Sequence, residues 1–214
     1  MKKKTLTIAI ALVLVVALAV GATWAYLTAT TGEVKNTFVV GALGNSNLKL
    51  EEHVVSYDKT TGKYTESTET TSSGQSYIVQ PGVNIPKDPT VTLSNLDVNT
   101  GAYVFVGVKG DAISGKFDWS VNTTIWEPLM NGNTQVMKGE YKIYTLKTGA
   151  VTADGQWAVL KENGDGTEIA VSNNFALAEG QTADSLNIDV IAFACQSAGF
   201  DSAYEAFNTC FLGQ

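Results

Sequence analysis

Apolar and polar residues alternate along much of this chain with a period of two. The pattern is clearest at Tyr103-Val104-Phe105-Val106-Gly107-Val108 and at Leu186-Asn187-Ile188-Asp189-Val190, where one face is plainly the more apolar. That is the signature of a half-buried strand. From residue 33 onward, short runs rich in Val, Ile, Thr, Tyr and Phe recur between Gly, Asn and Asp. They predict strands at 34–40, 47–57, 63–70, 76–79, 90–93, 102–108, 116–121, 141–146, 156–160, 168–171 and 186–194. So many short strands divided by turns predict an all-β fold, a sandwich or a barrel.

Two turns are legible. Asp58-Lys59-Thr60-Thr61-Gly62-Lys63 and Asn163-Gly164-Asp165-Gly166-Thr167 each join two strand-like runs and are read as hairpins, with Gly and Asn supplying positive φ. The stretch 65–73 is almost entirely Thr, Ser and Glu, which predicts an exposed edge or loop. One internal helix is expected at 202–209. Ser202 and Glu205 have capping-box spacing there, and Ala203, Ala206 and Phe207 share one side.

The N-terminus breaks the strand pattern. Met1-Lys2-Lys3-Lys4 precedes an apolar or small-residue run from Leu6 to Ala22, the layout of a secretory signal helix. Thr23 and Ala25 satisfy the small-x-small preference of a signal peptidase, so cleavage is expected between Ala25 and Tyr26. The run is also near the lower length limit of a membrane span, so an uncleaved anchor is the rival reading, and the membrane is expected as a partner only through an uncleaved signal. Residues 26–214 then suit one domain, with 26–40 as a mobile N-terminal arm and strand.

Charge narrows the list of partners. Losing residues 1–25 removes three lysines and no acid, taking the formal charge from −7 to −10. Nucleic acid is not expected as a partner, because phosphate binding needs a basic face. All 14 basic residues are lysines, so the bidentate guanidinium clamp on phosphate or carboxylate is missing. Cys195 and Cys210 form an even pair compatible, in an exported chain, with a disulfide closing a loop of about 15 residues. Two independent buried thiols would have the same spacing.

Catalytic constellations are sparse. His53 is the single histidine, and neither a His-Glu-x-x-His nor a Gly-x-Ser-x-Gly motif is present. A catalytic zinc usually takes three protein ligands, and a Ser or Cys nucleophile needs a positioned base. Glu51, Glu52 and His53 could be taken for a ligand cluster, but alternation along 48–55 favours an exposed strand position for His53. Asn163, Asp165 and Glu168 could offer oxygens to calcium, yet their spacing fits no full calcium loop. Trp119, Trp126 and Trp157, with Tyr141 and Tyr144, could line a glycan-binding face and are better read as core. No catalytic, metal or cofactor site is expected.

Several segments together resemble a known family. Thr23-Trp24-Ala25-Tyr26, then Asn36-Thr37-Phe38-Val39-Val40-Gly41 and Leu48-Lys49-Leu50, look like the N-terminus of the TasA/camelysin family with its SipW-type signal peptide. Val79-Gln80-Pro81-Gly82 before Thr90-Val91-Thr92-Leu93-Ser94-Asn95 resembles that family's Pro-Gly turn and following strand, and 188–201 is similar to its closing strand. The resemblance implies a two-sheet, jelly-roll-like β-sandwich, to which the residues themselves add the short C-terminal helix at 202–209. It also implies export through a SipW-type signal peptidase to the cell surface or extracellular matrix. There the chain would form or accompany biofilm fibres by association with itself or a related matrix subunit. Strand donation would then involve Val34, Phe38 and Val40. The alternatives are a surface binding module for glycan or matrix protein and a camelysin-like metallopeptidase, the latter disfavoured by the single histidine.

Overall fold

The computed structural model describes residues 28–30, 47–96, 101–176 and 186–213. Its strands in chain order are β1 (Thr28–Thr30), β2 (Leu48–Asp58), β3 (Lys63–Thr71), β4 (Thr90–Leu93), β5 (Ala102–Lys109), β6 (Phe117–Asp118), β7 (Trp126–Pro128), β8 (Met130–Asn131), β9 (Thr134–Gln135), β10 (Met137–Lys138), β11 (Tyr141–Leu146), β12 (Gly155–Ala158), β13 (Ala170–Val171) and β14 (Asp189–Gln196). Helix α1 (Ala203–Phe207) follows and runs on into a π-helical turn at Asn208–Leu212.

The strands build a sandwich-like pair of antiparallel sheets. The first has the order β1-β14-β5-β11-β10, with β7 also on β11, and the second has the order β12-β4-β2-β3. The backbone of the first sheet is the long pair β14 with β5, in register from Asp189↔Lys109 to Gln196↔Ala102. Alternation along these two strands sorts their side chains onto two faces. Val104, Val106, Ala192 and Ala194 turn inward, meeting Leu48, Val91 and Leu93 of the second sheet, with Trp126 fully buried among them. Phe105, Phe193 and Cys195 turn the other way and are covered by Ala206 and Phe207 of α1. The C-terminal segment is therefore a third layer, laid over the outside of the first sheet.

Local chemistry explains that layer. Ser202 caps α1 by accepting the Glu205 N–H at 3.1 Å, and the Glu205 carboxylate accepts the Asp201 N–H at 2.8 Å. Cys195 and Cys210 are bridged, with Cα atoms 6.9 Å apart, which ties the π-helical turn to β14.

Most predicted strands and the turn between β2 and β3 are present, the latter with Gly62 at φ 66°. Four expectations fail, one of them the run 168–171, which shortens to β13 and the isolated bridge Ile85↔Ile169. The run 76–79 is not a strand, because the Tyr64 hydroxyl takes both the N–H and the carbonyl of Ile78, at 2.6 and 2.9 Å, in place of a neighbouring strand. The second hairpin is only a turn. Gly166 N–H does reach the Asn163 carbonyl at 3.1 Å, but β12 pairs with β4 whereas β13 pairs with β6. The run 116–121 shortens to β6 and an isolated bridge, Val121↔Leu160. The short strands β7 to β10 carry no alternation long enough to announce them. The signal segment, the Ala25–Tyr26 junction and Val34, Phe38 and Val40 lie outside the described residues. Within the arm, Thr28–Thr30 is paired, Thr28↔Cys195 to Thr30↔Phe193, as an edge strand on β14.

Candidate functional site

The most densely wired polar region lies where Ile85-Pro86-Lys87-Asp88-Pro89 meets the middle of β2. Its two prolines fix φ and bias the residues before them toward extended backbone. Lys87 and Asp88 therefore project to different sides. Along β2, Leu48, Leu50 and Glu52 share one face, so alternation that buries Leu48 also carries the Glu52 carboxylate inward, to 7 % exposure. A buried carboxylate needs a partner, and Lys87 Nζ supplies it at 3.0 Å, itself nearly enclosed and stacked 5.4 Å from the centre of the Tyr77 ring.

His53, one position out of phase with Glu52, is half exposed. Asp88 grips it twice, accepting its backbone N–H at 2.9 Å and meeting Nδ1 at 2.5 Å. This contact holds the imidazole above its ordinary pKa, so the cation is favoured. Past His53 the register of β2 with β3 shifts. Gln75 fills the irregularity, accepting the Val55 N–H at 2.9 Å and donating to the His53 carbonyl at 2.7 Å.

Glu168 closes the cluster from β13's side, where it accepts the Lys87 backbone N–H at 2.7 Å. Burial pushes its carboxyl up to about 7, and the negative charge of Asp88 adds to the effect. Burial likewise pushes the Tyr77 hydroxyl upward, reinforced by Glu52 and Asp88. The segment is fastened further by the Ile85↔Ile169 bridge and by Asn84, which accepts the Val171 N–H and donates to Asp165.

Beside this cluster opens a cleft of about 410 Å³. Ile85, Phe117, Ile169 and Phe175 give it an apolar floor, and Tyr77 and Lys87 stand at its polar wall.

The residues singled out from sequence separate in the fold. His53, expected to be exposed, is half-exposed, and Glu52 points away from it into the interior. Asp165 and Glu168 are directed to Asn84 and Lys87, not to a shared cation, and no metal-binding group of His, Cys, Asp or Glu occurs among the described residues. Trp126 is core, donating Nε1–H to the Ala158 carbonyl at 2.9 Å, and Trp119 and Trp157 are part-buried against the same cluster. Tyr141 and Tyr144 pack on opposite faces of β11. Sequence reasoning missed Glu52, Lys87 and Glu168 as a unit. The one signal available was that Glu52 keeps the phase of Leu48 and Leu50.

No protein-family model, curated protein or solved structure matches the chain.

Proposed function

We propose that this chain is an exported, non-enzymatic subunit or accessory of extracellular matrix fibres, a jelly-roll-like sandwich joined to its neighbours by strand addition. The observation that carries this reading is β1. It sits on the edge of the first sheet by three residue pairs only, directly after the expected Ala25–Tyr26 cut. At about 0.5–1.5 kcal/mol net per hydrogen bond, so short a strand is retained by a few kcal/mol. The same segment of a second copy can take the identical register on β14, and a head-to-tail exchange that does not close propagates as a fibre. Val34, Phe38 and Val40 are the side chains that would accompany the exchanged strand into the neighbour.

Size-exclusion chromatography and negative-stain microscopy of residues 26–214, beside a chain starting at Gly41, test this reading. Filaments from the longer chain alone support exchange of the arm. Monomers from both, across salt and pH, count against it. The cleft beside Tyr77 and Phe175 favours the second reading, a surface binding module, which predicts a monomer whose ligand affinity survives removal of the arm.

A further inference from the structure

We propose that Lys87 and Glu52 condense into an intramolecular isopeptide bond, fastening the 85–89 crossing covalently to β2. The two groups meet the requirements of amide formation. Their charged atoms are 3.0 Å apart, with the side chains only 12 % and 8 % exposed. That fixes amine and carboxyl in contact, where effective molarities reach about 10⁵–10⁸ M. It also removes them from the bulk water that would otherwise reverse the reaction. A buried ion pair gains little stability over apolar packing, whereas a buried neutral amide carries no charge to desolvate.

Condensation also needs an acid to protonate the departing oxygen, a role assigned to Glu168 as the remaining buried carboxyl of the cluster. Its carboxyl touches the Lys87 backbone at 2.7 Å and, with Glu52 and Asp88, bears electrostatically on the same Tyr77 hydroxyl. Burial keeps a large fraction of it protonated near neutral pH. Tyr77 covers the amine from the side of the cleft.

The chemistry balances without an oxidant or cofactor. The Lys87 ammonium passes a proton to the Glu52 carboxylate, giving amine and acid. Nζ then adds to Cδ. The C–O bond breaks as Glu168 protonates the leaving hydroxyl, and Glu168 recovers its proton from the nitrogen. The products are one amide and one water. The other charges of the cluster are Asp88, paired with His53, and Glu66 on β3, both of which act on Glu168, and none of these is consumed.

Peptide mapping of the full chain, denatured and reduced, tests the bond directly. The expected result is a branched peptide joining Lys87 to Glu52, lighter than its two parts by one water, with trypsin passing over Lys87 in most chains. The proposal also expects Lys87→Arg to remove the branch. It expects Glu168→Gln to keep the fold, judged by circular dichroism, while losing most of the branch. Recovery of Lys87 and Glu52 only in linear peptides, from folded wild-type protein held for days between pH 5 and 8, overturns the proposal. That outcome is read on the wild-type chain and needs no variant to fold.

Discussion

Removing the Phe207 ring tests whether the C-terminal layer is a packed part of the domain. Phe207 is fully buried, with ring centres 5.0 Å from Phe105, 5.4 Å from Phe193 and 5.1 Å from Phe211. Phe to Ala in a rigid core costs about 3–5 kcal/mol, transfer and cavity together. Phe105 and Phe193 belong to paired strands and cannot close the hole, but Phe211 lies on the same short C-terminal segment and can lean into it. The expectation for Phe207→Ala is therefore the lower end, about 3 kcal/mol, measured by urea denaturation with the disulfide intact. The bridge from Cys195 to Cys210 holds this same segment and is worth about 3 kcal/mol for a 15-residue loop. Because ring and bridge secure one docking event, reduction should cost the variant less than it costs the parent, by about 0.5 kcal/mol or more. A loss below about 1 kcal/mol in the oxidised variant, or strict additivity with reduction, would show that the helix does not pack on the sheet in this way.

Three further outcomes are expected. Glu168, raised from 4.5 to about 7 in the fold, gives stability that is fully present below pH 4.5 and is lost as pH rises through 7. At about 1.4 kcal/mol per pH unit the loss is at most about 3.5 kcal/mol. Urea midpoints across pH 4.5–8 should show it, and Glu168→Gln should flatten the curve. Gly110→Ala should destabilise by about 2 kcal/mol or more, since φ is 125° there and the new methyl would run into the Asn187 carbonyl. Thermal unfolding of that variant beside Gly115→Ala, where φ is 70° but nothing lies in the way, separates the clash from the backbone strain. Trp126→Phe leaves the part-buried Ala158 carbonyl without the indole donor and should cost about 1–3 kcal/mol by urea denaturation.

What can be read from the sequence follows from what each signal encodes. Alternation is a local property, so β5, β11 and β14 are visible in it, and so is the capped helix at Ser202. Pairing is not local. The turn at 163–167 looks the same whether its flanking strands join each other or part for different sheets, and here Trp157 goes to Val91 while Val171 goes to Phe117. Ile78 reads as strand by composition, and only the fold shows a tyrosine hydroxyl occupying its backbone. The ionic cluster is hidden for a similar reason. Glu52, Lys87 and Glu168 lie far apart in the chain, each is an ordinary surface residue by type, and the last stands beside Asn163 and Asp165, which suggests a different grouping. Phase with Leu48 and Leu50 marks Glu52 as inward but cannot name the lysine that meets it.

The pairing of β14 with β5 has a consequence for the order of events during synthesis. Ala192 and Ala194 of β14 complete the inner face to which Val104 and Val106 belong, and β14 is made only after every other strand described. Even β1, the earliest, finds its place on β14. A chain emerging from its N-terminus cannot complete this sheet until its last strand is released, because β14 lies between β1 and β5 in the strand order. Until then the first sheet lacks the strand that joins β1 to β5.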